Sequence, residues 1–229
     1  MEIKKSISTK LTQSFDDYYK QPDRPRVIGH YNVSELGTCF REWFWRYTDP
    51  QPISEELQRI FNYGHLLHEH VDKCLDKAED IKVIANEKGL LLMDNNSGAV
   101  LHGRVDNVVE YNGVKYIIDT KSTKSVEASC KYPTSDGYKM QLNVYGKFFD
   151  IDNLGLFYVE KGTLNTGFKE VKKDDKFVKM AFDRMATVHK HLTENTLPEP
   201  EVKNGPNQWM CRYCSYADKC KEVCENGNK

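Results

Sequence analysis

Two apolar-rich segments between Leu101 and Ser122, separated by a short polar turn, predict a β-hairpin. Its flanks, RVDNVVEY and VKYIIDTK, are rich in the Val, Ile and Tyr residues that favour strands. Asn112-Gly113 separates the two flanks, and this dipeptide favours a type I′ turn because both central residues of that turn need a positive φ. A two-residue turn also fixes the register, so that Tyr111 faces Val114 and Asp106 faces Asp119.

The rest of the chain divides into segments with helical spacing and segments with strand-like spacing. Helices are predicted over residues 1–20, 34–48, 54–80, 136–149 and 176–192, and strands over 81–93, 154–161 and 166–173. The second helix is expected to contain Cys39 one turn from its start. Strands mixed with helices in this order predict an α/β fold, with a central mixed β-sheet flanked by helices.

Composition narrows the class of protein further. The chain has 229 residues, 39% of them hydrophobic and 29% charged, which suits one globular domain or one domain with an appendage. The formal net charge of −1 provides no global basic field, so any contact with nucleic acid must be local. No apolar run approaches the ~20 residues of a membrane span, and the N-terminus lacks the apolar core of a signal peptide. We therefore expect a cytoplasmic protein that does not contact membranes.

The predicted hairpin places several charged side chains on one face. Asp106 and Asp119 are directly opposed, with Cβ atoms expected ~5 Å apart, and like charges at that spacing are destabilising. A hard divalent cation between them would reverse that effect. Lys121 and Arg104 leave the same face, which makes Arg104 a candidate phosphate contact. The opposite face is expected to form core, through Val105, Val109, Val114, Tyr116 and Ile118. An ordinary solvated sheet face is the alternative, since charged residues are usually exposed.

Seven cysteines, an odd number without a signal peptide, argue against a disulfide scaffold. Cys211-x2-Cys214-x5-Cys220 near the C-terminus has the spacing of ligands for a soft metal or cluster, and Cys224 is a further candidate. Spacing alone leaves zinc and iron equally open. Cys39, taken by itself, is typical of a buried structural cysteine.

Taken together and in order, these motifs resemble the PD-(D/E)XK superfamily, in particular the RecB-like iron–sulfur nucleases of the Cas-four type, which are associated with CRISPR or carried by phages. The resemblance rests on Gly64-x-x-x-His68, Gly103-x-x-Asp106, Asp119-x-Lys121, Gln141-x-x-x-Tyr145 and the context Ser34-x-x-x-x-Cys39-x-Arg41. It implies a restriction-endonuclease-like core with N-terminal helices and a C-terminal cysteine-rich cap on a metal cluster. Three departures from the family pattern are Val105 in place of the family's proline, Asp119 in place of the commoner Glu, and the additional Cys224.

The resemblance also implies roles for individual residues. Asp106, Asp119 and Lys121 would be catalytic. Mn²⁺ or Mg²⁺ would be held by His68, Asp106, Asp119 and the main-chain carbonyl of Thr120. Lys121 would position the attacking water or help to deprotonate it, and Gln141 and Tyr145 would hold the substrate strand or orient Lys121. A [4Fe–4S] cluster would be bound by Cys39, Cys211, Cys214 and Cys220. Residues 1–200 would then form the nuclease domain with its N-terminal helical part, and residues 201–229 a cysteine-rich segment joined to Cys39 through the cluster.

The implied function is a metal-dependent DNA exonuclease that prefers single-stranded DNA or DNA ends, in CRISPR adaptation or in phage DNA processing and recombination. The implied partners are DNA and a CRISPR integrase or helicase and recombination proteins. Two alternatives are a DNA-binding or assembly module that retains the nuclease fold, and a zinc-ribbon nucleic-acid binder that uses the tail alone. The second alternative leaves His68, Asp106, Asp119 and Lys121 unexplained.

Overall fold

A six-stranded mixed β-sheet lies at the centre of the computed structural model, which describes residues 2–20, 25–201 and 208–226. The strands are β1 (His30–Asn32), β2 (Ile81–Met93), β3 (Val100–Tyr111), β4 (Val114–Thr123), β5 (Asn153–Glu160) and β6 (Thr166–Val171). β1 and β4 pair with different stretches of one edge of β3, and β2 pairs with its other edge. β5 and β6 continue the sheet beyond β4. β1 with β3 and β4 with β5 are parallel, and the other pairs are antiparallel. The predicted mixed sheet is therefore confirmed.

Helices cover both faces of this sheet, as an α/β chain requires to bury its strands. They are α1 (Glu2–Tyr19), α2 (Phe40–Thr48), α3 (Glu55–Leu75), α4 (Val126–Lys131), α5 (Asp136–Phe149), α6 (Asp175–Thr193) and α7 (Ala217–Asn226). The larger core joins α2, α5 and α6 to one face of the sheet. A smaller cluster joins α3 to the other face, through Leu67 and Val71 against Val159. None of the helices among the described residues is long and apolar enough to cross a membrane.

The central hairpin has the predicted turn and register. Asn112 and Gly113 both have positive φ, 51° and 77°. The observed pairs run from Tyr111–Val114 to Asn107–Ile118, which confirms the predicted register over that length. The ladder ends there, one pair before Asp106 and Asp119.

The hairpin face predicted to form core is buried at Val105 and Val109, but it is not the only hairpin face that packs into the core. Val108 and Ile117, on the face assigned to the charged residues, are buried in the larger core, whereas Val114 at the turn is exposed. Val105, on the face predicted to form core, belongs to the same larger core. Pairing of β3 with β2 is regular from Asn107 to Val100, and the register shift of this pair lies in β2, between Val83 and Ala85.

The second predicted helix begins later than expected. A short 3₁₀ helix, Val33–Glu35, precedes α2, and Cys39 is the residue that caps the N-terminus of α2 rather than lying one turn inside it. The chain bends between them at Gly37, where an added Cβ would lie 2.9 Å from the Cα of Gly137. This close crossing of two backbones positions the start of α2 near the start of α5.

The C-terminal segment packs on α2. Tyr216 is buried and its ring lies 5.7 Å from that of Trp45, while its hydroxyl donates to the carbonyl of Asp49. Lys219 also pairs with the Asp49 carboxylate, at 2.5 Å. Residues 202–207, where the cysteine-rich segment is predicted to begin, lie outside the described residues.

Candidate active site

The predicted site residues meet where β4 separates from β3. β1 pairs with β3 at residues 100–102 and β4 pairs with the same edge of β3 at residues 107–111. Between these two stretches the edge of β3 is free of strand pairing. Asp106 lies there, and its Oδ2 accepts the backbone N–H of Thr120 at 2.8 Å. Where the next strand-to-strand hydrogen bond would form, the Thr120 N–H donates to a side-chain carboxylate instead. The Asp106 side chain therefore lies beside the Asp119-Thr120-Lys121 segment, where β3 and β4 separate.

His68 reaches this opening from α3. Its Nε2 lies 3.1 Å from the carbonyl oxygen of Thr120, and its Nδ1 lies 3.5 Å from Oδ1 of Asp106. Burial and the nearby Lys121 ammonium lower the pKa of His68. Its imidazole is therefore neutral at pH 7, which is the form that ligates a metal.

Asp106 carries an unfavourable charge in this arrangement. Burial and the charge of Asp119 raise the pKa of Asp106 to about 8. Asp119 is itself almost completely buried, with 1% of its side chain exposed. Two carboxylates in a low-dielectric site repel each other unless a cation compensates them.

Lys121 compensates one of the two. Its Nζ lies 2.6 Å from Oδ2 of Asp119. Burial alone would lower the pKa of Lys121, but the charges of Asp119 and Asp106 outweigh burial and hold it above its ordinary value. Lys121 is thus an ammonium ion, and it can donate hydrogen bonds but cannot accept a proton.

Gln141 and Tyr145 brace this pair from α5. Gln141 Nε2 donates to Oδ1 of Asp119 at 3.0 Å and to the hydroxyl of Tyr145 at 3.2 Å. The Tyr145 hydroxyl donates in turn to the carbonyl of Arg104, and its side chain is buried. These contacts make both residues positioning groups for Asp119 and β3.

Glu87 of β2 is a site residue that the sequence pattern did not indicate. Ligand atoms of His68, Glu87 and Asp106 all lie within 4.8 Å of one another. Glu87 lies between the pairs Asn86–Asn107 and Lys88–Val105, hence opposite Asp106. Its φ of 51° is left-handed, a conformation that costs a non-glycine residue about 1–2 kcal/mol. Only the β2–β3 register reveals this position, and no two-residue turn joins those strands to fix that register in the sequence.

Two further residues lie at the rim of the site. Arg104 is largely exposed and forms an ion pair with Glu87. The hairpin register predicts that it lies opposite Lys121, but the β3–β4 pairing ends at Asn107–Ile118, before those two positions. Tyr138, in the first turn of α5, has its ring 5.2 Å from Lys121 Nζ. Ser135 caps that turn by accepting the Tyr138 N–H, which fixes the position of the tyrosine. Sequence reasoning missed Tyr138 because nothing local links it to Lys121.

The donors present fit a hard divalent cation. A neutral imidazole, carboxylate oxygens and a backbone carbonyl converge from His68, Asp106, Glu87 and Thr120, with Asp119 adjacent. Burial, and after it the charge of Asp119, raises the pKa of Asp106, and a bound cation would favour its charged form instead.

The predicted thiolate ligands are less closely grouped. Burial raises the pKa of Cys214 to about 11. Arg41 contacts the sulfurs of Cys220 and Cys224, and Cys211 is exposed. Among the described residues, His68, Glu87 and Asp106 are the one group of three whose ligand atoms lie within 4.8 Å of one another. A cluster that joins the cysteines is therefore not shown.

Comparison with known proteins places this site in a family context. Residues 74–221, more than half of the chain, match the model of the PD-(D/E)XK nuclease superfamily. No curated protein matches the chain. Among solved structures, a protein named SSO0001 is similar at 17% identity and a TM-score of 0.59, over 92% of this chain and 94% of that one.

Two exonuclease structures are also similar. LHK-Exo from Laribacter hongkongensis, solved with dAMP, matches at 12% identity and a TM-score of 0.52, over 73% of this chain and 90% of its own. A phage-related exonuclease from Haemophilus somnus matches at 13% identity and a TM-score of 0.51, over 72% and 94%. At these identities the likeness is one of fold.

Proposed function

Because the chain belongs to the PD-(D/E)XK nuclease superfamily, we propose that it is a divalent-metal-dependent deoxyribonuclease that removes nucleotides from DNA ends and prefers single strands. The observation that carries this proposal is the contact of Lys121 with Asp119 beside Asp106, His68 and the Thr120 carbonyl. A buried ammonium, a carboxylate pair and a neutral imidazole are the groups that phosphodiester hydrolysis needs in one place.

His68, Asp106, Asp119 and the Thr120 carbonyl would hold Mn²⁺ or Mg²⁺, and Glu87 would add a carboxylate oxygen on the β2 side. When bound, such a cation supplies Lewis-acid activation of the phosphodiester and of a water molecule.

Lys121 would bind a non-bridging phosphate oxygen and stabilise the charge that develops on it. Its pKa, raised by the charges of Asp119 and Asp106, favours the charged form that this role requires. Gln141 would keep Asp119 in one orientation, because its amide already donates to Oδ1 and leaves Oδ2 to face Lys121. Arg104 at the rim would contact a phosphate of the bound strand once it separates from Glu87.

Exonuclease action is favoured over other nuclease activities by the names of two structural neighbours, LHK-Exo and the phage-related exonuclease, which share this fold. The proposal includes a preference for strands that are already open. The proposed biological setting is either CRISPR adaptation together with an integrase or phage recombination together with a helicase.

A soft-metal centre in the C-terminal cap is a second part of the proposal. Cys39, Cys211, Cys214 and Cys220 would hold a [4Fe–4S] cluster or zinc, and either would join the tail to α2. The packing of Tyr216 and Lys219 on α2 already holds the C-terminal segment against the helix that begins after Cys39, which supports this arrangement. Anaerobic purification followed by iron, sulfide and zinc analysis would distinguish the two metals.

Digestion of end-labelled single- and double-stranded DNA, with Mn²⁺, with Mg²⁺ and with EDTA, tests the nuclease proposal. Wild type is compared with Lys121→Ala and with Lys115→Ala, an exposed lysine on the same strand. We expect metal-dependent release of label that Lys121→Ala abolishes and Lys115→Ala retains. Equal digestion by all three proteins would indicate a contaminant and contradict the proposal.

The alternative of a binding or assembly module predicts a different outcome. DNA would then be bound by wild type and by Asp119→Ala equally, with no digestion by either. A zinc-ribbon binder would bind DNA through the tail alone and would be insensitive to changes at Asp119 or Lys121.

A further inference from the structure

Arg41 is a buried cation without a carboxylate partner. Its side chain belongs to the first turn of α2 and the residue is only 7% exposed. Nε donates to the carbonyl of Pro198 at 2.8 Å. One terminal nitrogen lies 3.2 Å from Sγ of Cys224 and 3.5 Å from Sγ of Cys220. Among the ion pairs formed by the described residues, none includes Arg41.

A guanidinium in this position needs negative charge beside it. Transferring an ion from water into a protein interior costs several kcal/mol unless an anion compensates it, and arginine stays charged at every accessible pH. The carbonyl of Pro198 supplies a dipole but no charge. Two protonated thiols are likewise neutral, so the sulfur atoms compensate Arg41 only when they are thiolates or part of a metal–thiolate centre.

A nearby arginine, Arg184, shows how the charge of a guanidinium is usually compensated. Arg184 donates to the carbonyls of Leu36 and Thr38, on the approach to Cys39, and its charge is met by Glu201. Glu201 also accepts the backbone N–H of Phe40, the residue after Cys39, so the same carboxylate contacts Arg184 and the start of α2. A carboxylate therefore compensates the charge of Arg184, whereas two sulfur atoms and a carbonyl lie beside Arg41.

We propose that Arg41 is the counter-cation of an anionic metal–thiolate centre in the C-terminal cap, with Cys220 as a ligand and Cys224 as a hydrogen-bonded neighbour outside the ligand set. This inference rests on the soft-metal centre of the proposed function. It assigns roles to Arg41 and Cys224, which the cysteine spacing leaves undefined. Four thiolates around one Zn²⁺, or around an iron–sulfur cluster, carry net negative charge. Arg41 offsets part of that charge and, through Pro198, ties the centre to the segment that leads into the tail.

Stability after metal removal distinguishes this role from simple packing. Stripping the metal from wild type leaves Arg41 as an uncompensated buried charge. Replacing Arg41 with Met, an apolar side chain of similar length, removes that charge, and such a change at a buried ionic site is often neutral or stabilising. A packing role would instead make Arg41→Met less stable with and without metal.

The test uses the full-length protein purified without oxygen. Iron, sulfide and zinc per chain, the rate of metal release to excess EDTA, and Tm before and after stripping are measured for wild type, Arg41→Met and Arg41→Lys. Lys219→Met is the matched control, because Lys219 holds the tail on α2 through Asp49 without touching a sulfur atom. Cys220→Ser and Cys224→Ser complete the set.

We expect wild type to hold metal and Arg41→Met to release it at least fivefold faster, with Arg41→Lys between them and Lys219→Met like wild type. Stripping should lower Tm more in wild type than in Arg41→Met. Cys220→Ser should lose the metal and Cys224→Ser should keep it.

Three results would overturn the inference: wild type without iron or zinc, Arg41→Met with the metal content and release rate of wild type, or Cys224→Ser as depleted as Cys220→Ser. Mn²⁺-dependent digestion of DNA by the same wild-type preparation is recorded in parallel. Digestion by a protein that lacks the soft metal would reject the thiolate centre and leave the nuclease proposal standing.

Discussion

The ammonium of Lys121 lies 2.6 Å from Oδ2 of Asp119, while Oδ1 of the same carboxylate accepts a hydrogen bond from Gln141. Both oxygens of Asp119 are therefore directed before any substrate arrives. This pre-orientation locates the reacting phosphate close to Lys121 and next to the metal ligands, which is how a fixed charge contributes most to phosphoryl chemistry.

Lys121→Ala should lower kcat on single-stranded DNA by roughly 10²–10³-fold, the usual cost of losing one pre-oriented group that stabilises developing charge. Binding of Mn²⁺ should be unchanged or tighter, because Asp119 loses its competing cation. Steady-state kinetics and isothermal titration with Mn²⁺ measure the two effects. A variant with weakened Mn²⁺ binding and normal kcat at saturating metal would show that Lys121 acts on the cation instead.

Asp106→Asn should stabilise the metal-free protein and abolish its stabilisation by Mn²⁺. The folded-state pKa of Asp106 is raised to about 8 from an ordinary 3.8, so the folded protein binds a proton more tightly than the unfolded chain does. Stability of metal-free wild type is then greatest below pH ~4 and falls as pH rises through 8, for the part due to this group. In Asp106→Asn that fall should be smaller.

Thermal unfolding between pH 5 and pH 9, with and without Mn²⁺, checks this prediction. Each kcal/mol corresponds to a change of ~2–4 °C in Tm for a domain of this size. Identical pH profiles for wild type and Asp106→Asn would show that Asp106 does not carry the repulsion described above.

Glu87→Gln should weaken Mn²⁺ binding by roughly tenfold, since it keeps the side-chain shape but loses the charge. Glu110→Gln, on β3 and away from the site, is the control. Electron paramagnetic resonance of free Mn²⁺ gives affinity and stoichiometry without an activity assay. Unaltered binding would leave Glu87 as a partner of Arg104 alone.

Tyr138→Leu should lower kcat by about two- to fivefold, because an exposed cation–π contact contributes ~0.5–1 kcal/mol. Tyr138→Phe keeps the ring and should match wild type within twofold. Turnover at saturating Mn²⁺ and DNA separates the two. Equal losses in both variants would point to the hydroxyl rather than to the ring that lies over Lys121.

Arg104→Ala should weaken binding of single-stranded DNA and reduce its salt dependence by about one charge. A filter-binding or anisotropy titration between 50 and 200 mM salt with Ca²⁺ in place of Mn²⁺ measures this without digestion. Arg59→Ala, whose exposed arginine pairs with Asp16 on another part of the surface, is the control. Affinity equal to wild type across the salt range would exclude Arg104 from the DNA path.

Short-range signals in the sequence were sufficient for the hairpin. Asn112-Gly113 dictates a turn, the turn dictates a register, and the register places Asp106 near Asp119 and Lys121. The helix-spaced residues of α3 likewise carry His68 on a face that can reach the sheet. These features depend on residues close together in the chain, where local geometry leaves few choices.

Contacts between distant segments were not accessible in the same way. Glu87 enters the site because a 13-residue strand pairs with β3 in one particular register and takes a left-handed conformation opposite Asp106. Cys39 is the N-cap residue of α2 rather than a helical residue, and the chain just before it packs Gly37 against the backbone of Gly137. No local pattern encodes either outcome.

The sequence by itself determined the turn, the longer strands and helices, and the set of acidic, basic and thiol side chains available for chemistry. Only the tertiary structure decided which of them meet: Asp106 bonding Thr120 where the ladder ends, Glu87 beside His68, and Arg41 buried against sulfur. The physical reason is that turns and helices are fixed by neighbouring residues, whereas the charge environment of a buried group is set by whatever distant segments the core packs around it.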